Sequence, residues 1–193
     1  MQKDGIAKSV LVLTYTQNEP MQMTQSDEEL RQLYEDCVSA CADSMYRVAY
    51  RLTSHPTLAR ELVQETYLQA WKNLGKLKER SKLRSWMFSI LRNQYTKLIR
   101  KESKAANSIE HIEQVPEQSG LNDGESDSAG LVQTALATLE DKHRLPLLLV
   151  SMEGMSVEEA AKILSVPRGT VLSRLSRGRD KLKAAILRTG YVA

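Results

Sequence analysis

Arg168, Arg174, Arg177 and Arg179 fall within one short stretch, with Thr170 and Ser173 between them. A guanidinium donates paired hydrogen bonds to O6 and N7 of guanine, or clamps a phosphate. Which of these arginines would read bases and which would only position a backbone is open at this level. A second concentration runs from Trp71 to Lys101, where Lys72, Lys76, Lys78, Arg80, Lys82, Arg84, Arg92, Lys97 and Arg100 interleave with Trp86, Phe88 and Tyr95. Cations in that number track a phosphate chain, and aromatic or amide groups beside them stack on or hold unpaired bases. Trp71 and Tyr95 read as core. Asn93 is polar in an apolar-basic helix; its amide can pair with a base edge, and a merely solvent-facing asparagine is the alternative. Other chemistry has little to work with. Three histidines are scattered, and no nucleophile–base pair or metal-ligand cluster stands in the sequence. Cys37 and Cys41, four apart in a helical pattern, read foremost as small buried apolar residues, against a metal or redox role. The expectation is a binding protein, not an enzyme, with no cofactor and no metal.

The charge distribution supports binding. The 193 residues carry a net charge of only +3, yet residues 72–104 sum to +9 and residues 167–193 to +6. Between them residues 105–130 sum to −6, with no basic residue. Two basic surfaces imply a polyanion gripped at two places, nucleic acid first among candidates. The longest strongly apolar run, Leu145 to Val150, is far short of a membrane span. Two cysteines cannot build a disulfide framework, which fits a reducing cytoplasm.

These residues need elements to hold them. Leu30, Leu33, Tyr34, Cys37, Val38, Cys41, Met45, Val48, Ala49 and Leu52 recur at three- and four-residue steps and predict a long helix with one apolar stripe. Ser54-His55-Pro56 breaks it, and Pro56 suits the first turn of a second helix carrying Leu58, Leu62, Val63, Tyr67, Ala70, Trp71 and Leu74. A short basic loop leads to a third helix with Leu83, Trp86, Met87, Ile90, Leu91, Tyr95, Leu98 and Ile99. Residues 103–130 read as a flexible acidic linker. A helical pattern restarts at Leu131, and Pro146 is expected in the first turn of the helix that follows. Ser156 with Glu159 makes a capping box, a turn falls at Ser165-Val166, and a second helix opens at Pro167 with Val171, Leu175 and Leu182 inward. That is a helix-turn-helix with a basic second helix, suited to the major groove. The fold class is therefore all-α: a tail over 1–24, a three-helix bundle over 25–102, the linker over 103–130, and a helix-turn-helix domain over 131–188.

The order of motifs resembles a known family. Leu62-Val-Gln-Glu-Thr-Tyr-Leu-Gln-Ala-Trp71 is similar to region two of bacterial RNA polymerase sigma factors, and Leu83-Arg-Ser-Trp-Met-Phe-Ser-Ile-Leu-Arg-Asn93 to the segment that follows it. Glu153-Gly-Met-Ser-Val-Glu-Glu-Ala-Ala and Val166-Pro-Arg-Gly-Thr-Val-Leu-Ser-Arg resemble region four. Two such lobes and a short linker, over 28–102 and 131–187, resemble the extracytoplasmic-function (ECF) class. The resemblance implies that Leu62, Gln64, Glu65 and Gln69 dock on the clamp helices of the polymerase largest subunit. It implies that Lys82, Arg84, Trp86, Arg92, Asn93 and Lys97 meet the minus-ten element, Asn93 contacting a base held out of the stack. Arg168, Thr170, Ser173, Arg174, Arg177 and Arg179 would then read the minus-thirty-five element, and the acidic linker would thread toward the polymerase active-site channel.

The implied partners are core RNA polymerase, promoter DNA and an anti-sigma protein. Leu58 and Arg60 stand where the family often has acidic residues, Leu172 where it often has Arg, and Ser176 where a larger side chain is frequent. The last two changes bear on promoter preference. A free-standing helix-turn-helix regulator with an N-terminal sensing lobe is the alternative reading; it requires promoter binding without polymerase.

Overall fold

The structure, a computed structural model, describes residues 25–77, 79–106 and 127–188. The tail expected over 1–24 and positions 107–126 of the expected linker lie outside them. Helix α1 (Gln25–Thr53) presents the apolar stripe that its spacing requires: Tyr34, Val38, Cys41, Met45, Val48, Ala49 and Leu52 are buried along it. It stops at Ser54, whose φ of 54° reverses the chain. His55 then caps α2 (Pro56–Lys72), its ring accepting from the Leu58 N–H, and Pro56 opens the helix where a missing N–H costs nothing. Two single 3₁₀ turns, Leu74–Lys76 and Arg80–Lys82, carry the basic loop into α3 (Leu83–Ala106).

The three helices enclose Met45, Tyr67, Met87, Phe88 and Leu91, all at most 1% exposed. Each such side chain contributes about 1.5–3 kcal/mol of apolar burial. Tyr34 and Trp71 meet edge to face at 5.2 Å, and the Tyr34 hydroxyl donates to the Tyr67 carbonyl at 2.8 Å, tying α1 to α2. Trp71 and Tyr95 belong to this packing, as their spacing predicts.

The second lobe comprises α4 (Asp127–Ala137), α5 (Asp141–Pro146), a π-helical segment (Leu147–Met152), α6 (Val157–Leu164) and α7 (Arg168–Arg188). Both helices flanking the linker run further than the periodicity indicates, to Ala106 and from Asp127. Pro146 is not in a first turn: the helix begins at Asp141, and Pro146 ends its α-helical part. A proline inside a helix removes one N–H and crowds the carbonyl four residues back. Downstream of it the chain widens into the π segment, where Glu153 N–H bonds Leu148 O at 3.0 Å, five residues back.

The capping box forms as spelled. Ser156 Oγ accepts from Glu159 N–H at 3.1 Å, and Glu159 accepts from Ser156 N–H at 2.9 Å. These bonds hold the Glu159 carboxyl below its ordinary pKa. A depressed carboxyl stabilises the fold above its unfolded pKa and loses that contribution as pH falls through the folded value. Ser156→Ala should therefore cost about 1 kcal/mol at neutral pH. In urea unfolding the deficit should narrow in acid, as Glu159 protonates in both proteins; a constant deficit would deny Glu159 its share.

Ser165, at φ 56°, makes the left-handed turn between α6 and α7. Val171, Leu175 and Ala185 then bury one side of α7. Gly178 lets that side approach α5 closely, because a Cβ there would stand 3.2 Å from the His143 carbonyl and 3.0 Å from Leu147 Cδ1.

Among the described residues there is no strand, and the architecture is all-α with two helical lobes, as expected. The lobes are not apart, however. They share one apolar cluster, and α3 lies against α6.

Candidate nucleic-acid interface

The C-terminal end of α2, the loop after it and the middle of α3 enclose a groove of about 480 Å³. Its rim carries Lys76, Arg92, Lys97 and Arg100 and no carboxylate. Trp86 supplies an aromatic wall, half-buried, and Asn93 stands exposed in the groove. No described group hydrogen-bonds the Asn93 amide. The volume lies in the range of small-ligand clefts, and four cations around one ring and one free amide suit a phosphate-linked base.

Four of the six residues expected at the minus-ten element, Trp86, Arg92, Asn93 and Lys97, thus come together. Lys82 and Arg84 do not line the groove. Lys82 pairs with Glu79 at the start of α3, and Arg84 turns to the second lobe. Gln69 and Asn73 also line the groove. The first was expected on the polymerase face and the second was not singled out. Asn73 donates to the Gln69 carbonyl at 2.8 Å and accepts from Lys76 Nζ at 2.8 Å, which ends α2 and points the loop toward the groove.

On α2, Gln64 and Glu65 are exposed, and Gln69 donates to Glu65 at 2.9 Å. Leu62 is 5% exposed and belongs to the core, so its side chain packs the bundle and does not offer a docking surface. An apolar residue on the stripe beside Val63 goes inward with it; the stripe already contained that answer.

Helix α7 separates the six residues of the second basic cluster. At about 100° per residue, Thr170, Ser173, Arg174 and Arg177 share one flank, whereas Arg168 and Arg179 lie on the other side of the buried stripe. Arg177 and Arg179 are exposed, Thr170 and Arg174 are half-buried, and Ser173 donates back to the Thr170 carbonyl at 3.0 Å. Arg168 is exposed and pairs with Glu158 at 2.9 Å. Leu172 is 48% exposed on the outward side of the same helix.

The two lobes meet through residues of both kinds. Glu153, whose side chain is 2% exposed, accepts from Arg84 at 3.1 Å and from Arg47 at 3.4 Å. Arg92 donates to the Ile163 carbonyl at 2.9 and 3.1 Å and to Ser165 Oγ at 2.8 Å. It thereby satisfies the C-terminal end of α6, where carbonyls lack intrahelical partners and the dipole favours a cation. Ser85 donates to Glu159 at 3.3 Å. Further along, Arg144 bonds both Tyr95 and Asp141, and Tyr95 donates to Asp141 at 3.0 Å. Arg51 donates to Gln133, which in turn donates to Ser54 at 2.9 Å.

Burial, offset by the Arg144 guanidinium, leaves the Tyr95 hydroxyl well above its ordinary pKa. Arg84 also faces the cysteines of α1. The hydrogen-bonded contact between the two thiols, outweighing burial and aided by Arg84, holds Cys41 below its usual range, while the same contact and burial push Cys37 up. Glu153 opens the region-four motif, but nothing in the sequence marked it as a site residue.

Two helical lobes, each presenting a cationic helix, define a DNA-binding protein of bipartite design. Residues 37–105 match sigma-70 region 2, and residues 129–182 match sigma-70 region 4. The ECF RNA polymerase sigma factor EcfG of Rhodopseudomonas palustris is 32% identical over 156 residues, which cover 78% of this chain and 83% of that protein. SigE of Mycolicibacterium smegmatis is 28% identical over 162 residues, 81% of this chain and 63% of that protein. Among solved structures, the sigma factor RpoE of Bartonella quintana, in complex with the anti-sigma factor NepR, matches with TM-score 0.63 at 28% identity, over 85% of this chain and 98% of RpoE. CnrH, in complex with the cytosolic domain of CnrY, shares the fold with TM-score 0.60 at 20% identity, over 93% of this chain and 96% of CnrH. The chain belongs to the ECF sigma factors of the sigma-70 family. It is an alternative sigma factor that directs transcription; a free-standing helix-turn-helix regulator is not favoured. Among the described residues, no helix is long and apolar enough to cross a membrane.

Proposed function

We propose that the α2–α3 groove receives an unstacked base of the minus-ten element while α7 enters the major groove at the minus-thirty-five element. The observation that carries this reading is the groove itself, with cations, an aromatic wall and the unbonded Asn93 amide converging on one space. Gln64 and Glu65, exposed on α2, form the core-polymerase contact, with Gln69 at its edge beside the groove, and Leu62 supports that surface from beneath. The protein contributes binding and DNA opening, and the polymerase contributes the chemistry. An anti-sigma protein is the regulatory partner, by likeness to a relative solved with one. Leu172, apolar and exposed, suits the C5-methyl of a thymine, so the minus-thirty-five preference should differ from that of relatives with arginine there.

Run-off transcription with core polymerase tests the whole. The chain should confer initiation at a defined promoter, and failure both to bind core and to initiate would refute the assignment. Arg177→Ala, and separately Arg174→Ala, should weaken duplex binding and lower the salt slope by about one if each neutralises a phosphate. An unchanged slope removes that arginine from the phosphate contacts.

A further inference from the structure

Three sulfur atoms meet where α1 packs on α3, away from the groove. Cys37 Sγ lies 3.7 Å from Cys41 Sγ and 3.2 Å from Met87 Sδ. The two thiols are one helical turn apart and so share a face; Met87 comes from the facing helix. Met87 is fully buried, Cys41 is 3% exposed, and Cys37 is partly buried, the least covered of the three residues. The Tyr67 hydroxyl, also buried on this side of the bundle, has no hydrogen-bond partner. Ordinary packing does not require two thiols and a thioether to converge beside an unsatisfied hydroxyl.

We propose that Cys37, Cys41 and Met87 form a three-coordinate site for a soft metal ion, monovalent copper being the best match. Thiolate and thioether sulfur select soft ions. Structural zinc, by contrast, takes four ligands from cysteine, histidine and carboxylate, and among the described residues no group of three such side chains assembles. Metal–sulfur bonds of about 2.3 Å in a trigonal plane place sulfurs roughly 4 Å apart, so the two distances from Cys37 Sγ, 3.7 and 3.2 Å, each need to open by less than about 1 Å. Cys37 gives the entry path. Binding replaces the S–H bonds of Cys37 and Cys41 with metal–sulfur bonds and releases two protons to water, with no change in oxidation state. Two thiolates and one monovalent ion leave a single negative charge, beside which stands Arg84 together with its paired carboxylate Glu153.

The test is anaerobic titration of the reduced full chain with Cu(I) against a colorimetric Cu(I) chelator. One ion per chain should bind, with two protons released and three sulfur neighbours by X-ray absorption. Cys37→Ser should lose binding. Met87→Leu, which keeps the core volume, should keep the circular dichroism and melting temperature, lose one sulfur neighbour and bind at least roughly tenfold more weakly, since even a lost outer-shell partner costs about that much. Failure of the folded chain to compete with the chelator would overturn the proposal. So would a Met87→Leu chain with unchanged affinity and sulfur count, or tighter binding of Zn(II) than of Cu(I).

Discussion

Asn93→Ala is expected to reduce promoter-specific initiation by roughly ten- to one-hundredfold, the loss of a paired base contact worth about 1–3 kcal/mol. The residue is exposed on α3, its amide is unbonded, and its neighbours in the groove are cations and Trp86. Removing it disturbs no packing, so core binding and thermal stability should stay at wild-type values. Initiation is read by run-off transcription and core binding by co-elution with polymerase. Loss of both together would place Asn93 in the fold or the polymerase contact and not on DNA. Lys97→Ala, on the same rim, should weaken binding across sequences and leave base preference intact, because a lysine there is a point charge without directional readout.

The second large effect concerns the contact between lobes. Arg84 and Arg92, both expected on DNA, here bond Glu153 and the end of α6. These bonds occupy part of each guanidinium's donor fork, so both arginines can clamp a promoter phosphate with the whole fork only if the lobes part. Glu153→Ala removes the one carboxylate shared by Arg47 and Arg84. Hydrogen bonds to charged groups contribute about 1.5–3 kcal/mol, while the exposure of both arginines, 55% and 43% at the side chain, draws the effect to the low end. The docking equilibrium should shift roughly tenfold toward separation. A fluorescence distance between dyes on the two lobes should lengthen, and affinity for promoter DNA should rise. Arg47→Ala should reproduce part of the shift, and the double variant should add less than the sum of the two. An unaltered distance in Glu153→Ala would mean that apolar packing alone holds the lobes together.

Each lobe was largely legible because its determinants are local. The α1 stripe, the Ser54-His55-Pro56 break, the capping box and the Ser165 turn are written within a few residues of one another, and each forms as spelled. Pro146 misled because proline position is ambiguous until the helix start is known, and Glu140-Asp141 carries a weaker start signal than Ser156. Leu62 lay on an apolar stripe and is buried with it. The docking of the lobes was not legible for a different reason. Arg92 bonds a backbone carbonyl 71 positions away, and any residue at 163 would offer the same oxygen. The groove was half legible: its α3 residues came from the basic-aromatic pattern, whereas Asn73 joins them only because α2 ends beside α3.

Arg92 at the end of α6 also bears on how the chain searches a chromosome. Non-specific affinity for DNA rises with the number of cations free to displace counterions. With Arg84 paired to Glu153 and Arg92 held against α6, their share in such displacements on random duplex is reduced, Arg84's by charge pairing and Arg92's by its position. The closed chain should dwell less on bulk DNA and remain available in solution, so that its full charge is spent where polymerase and a promoter meet it together.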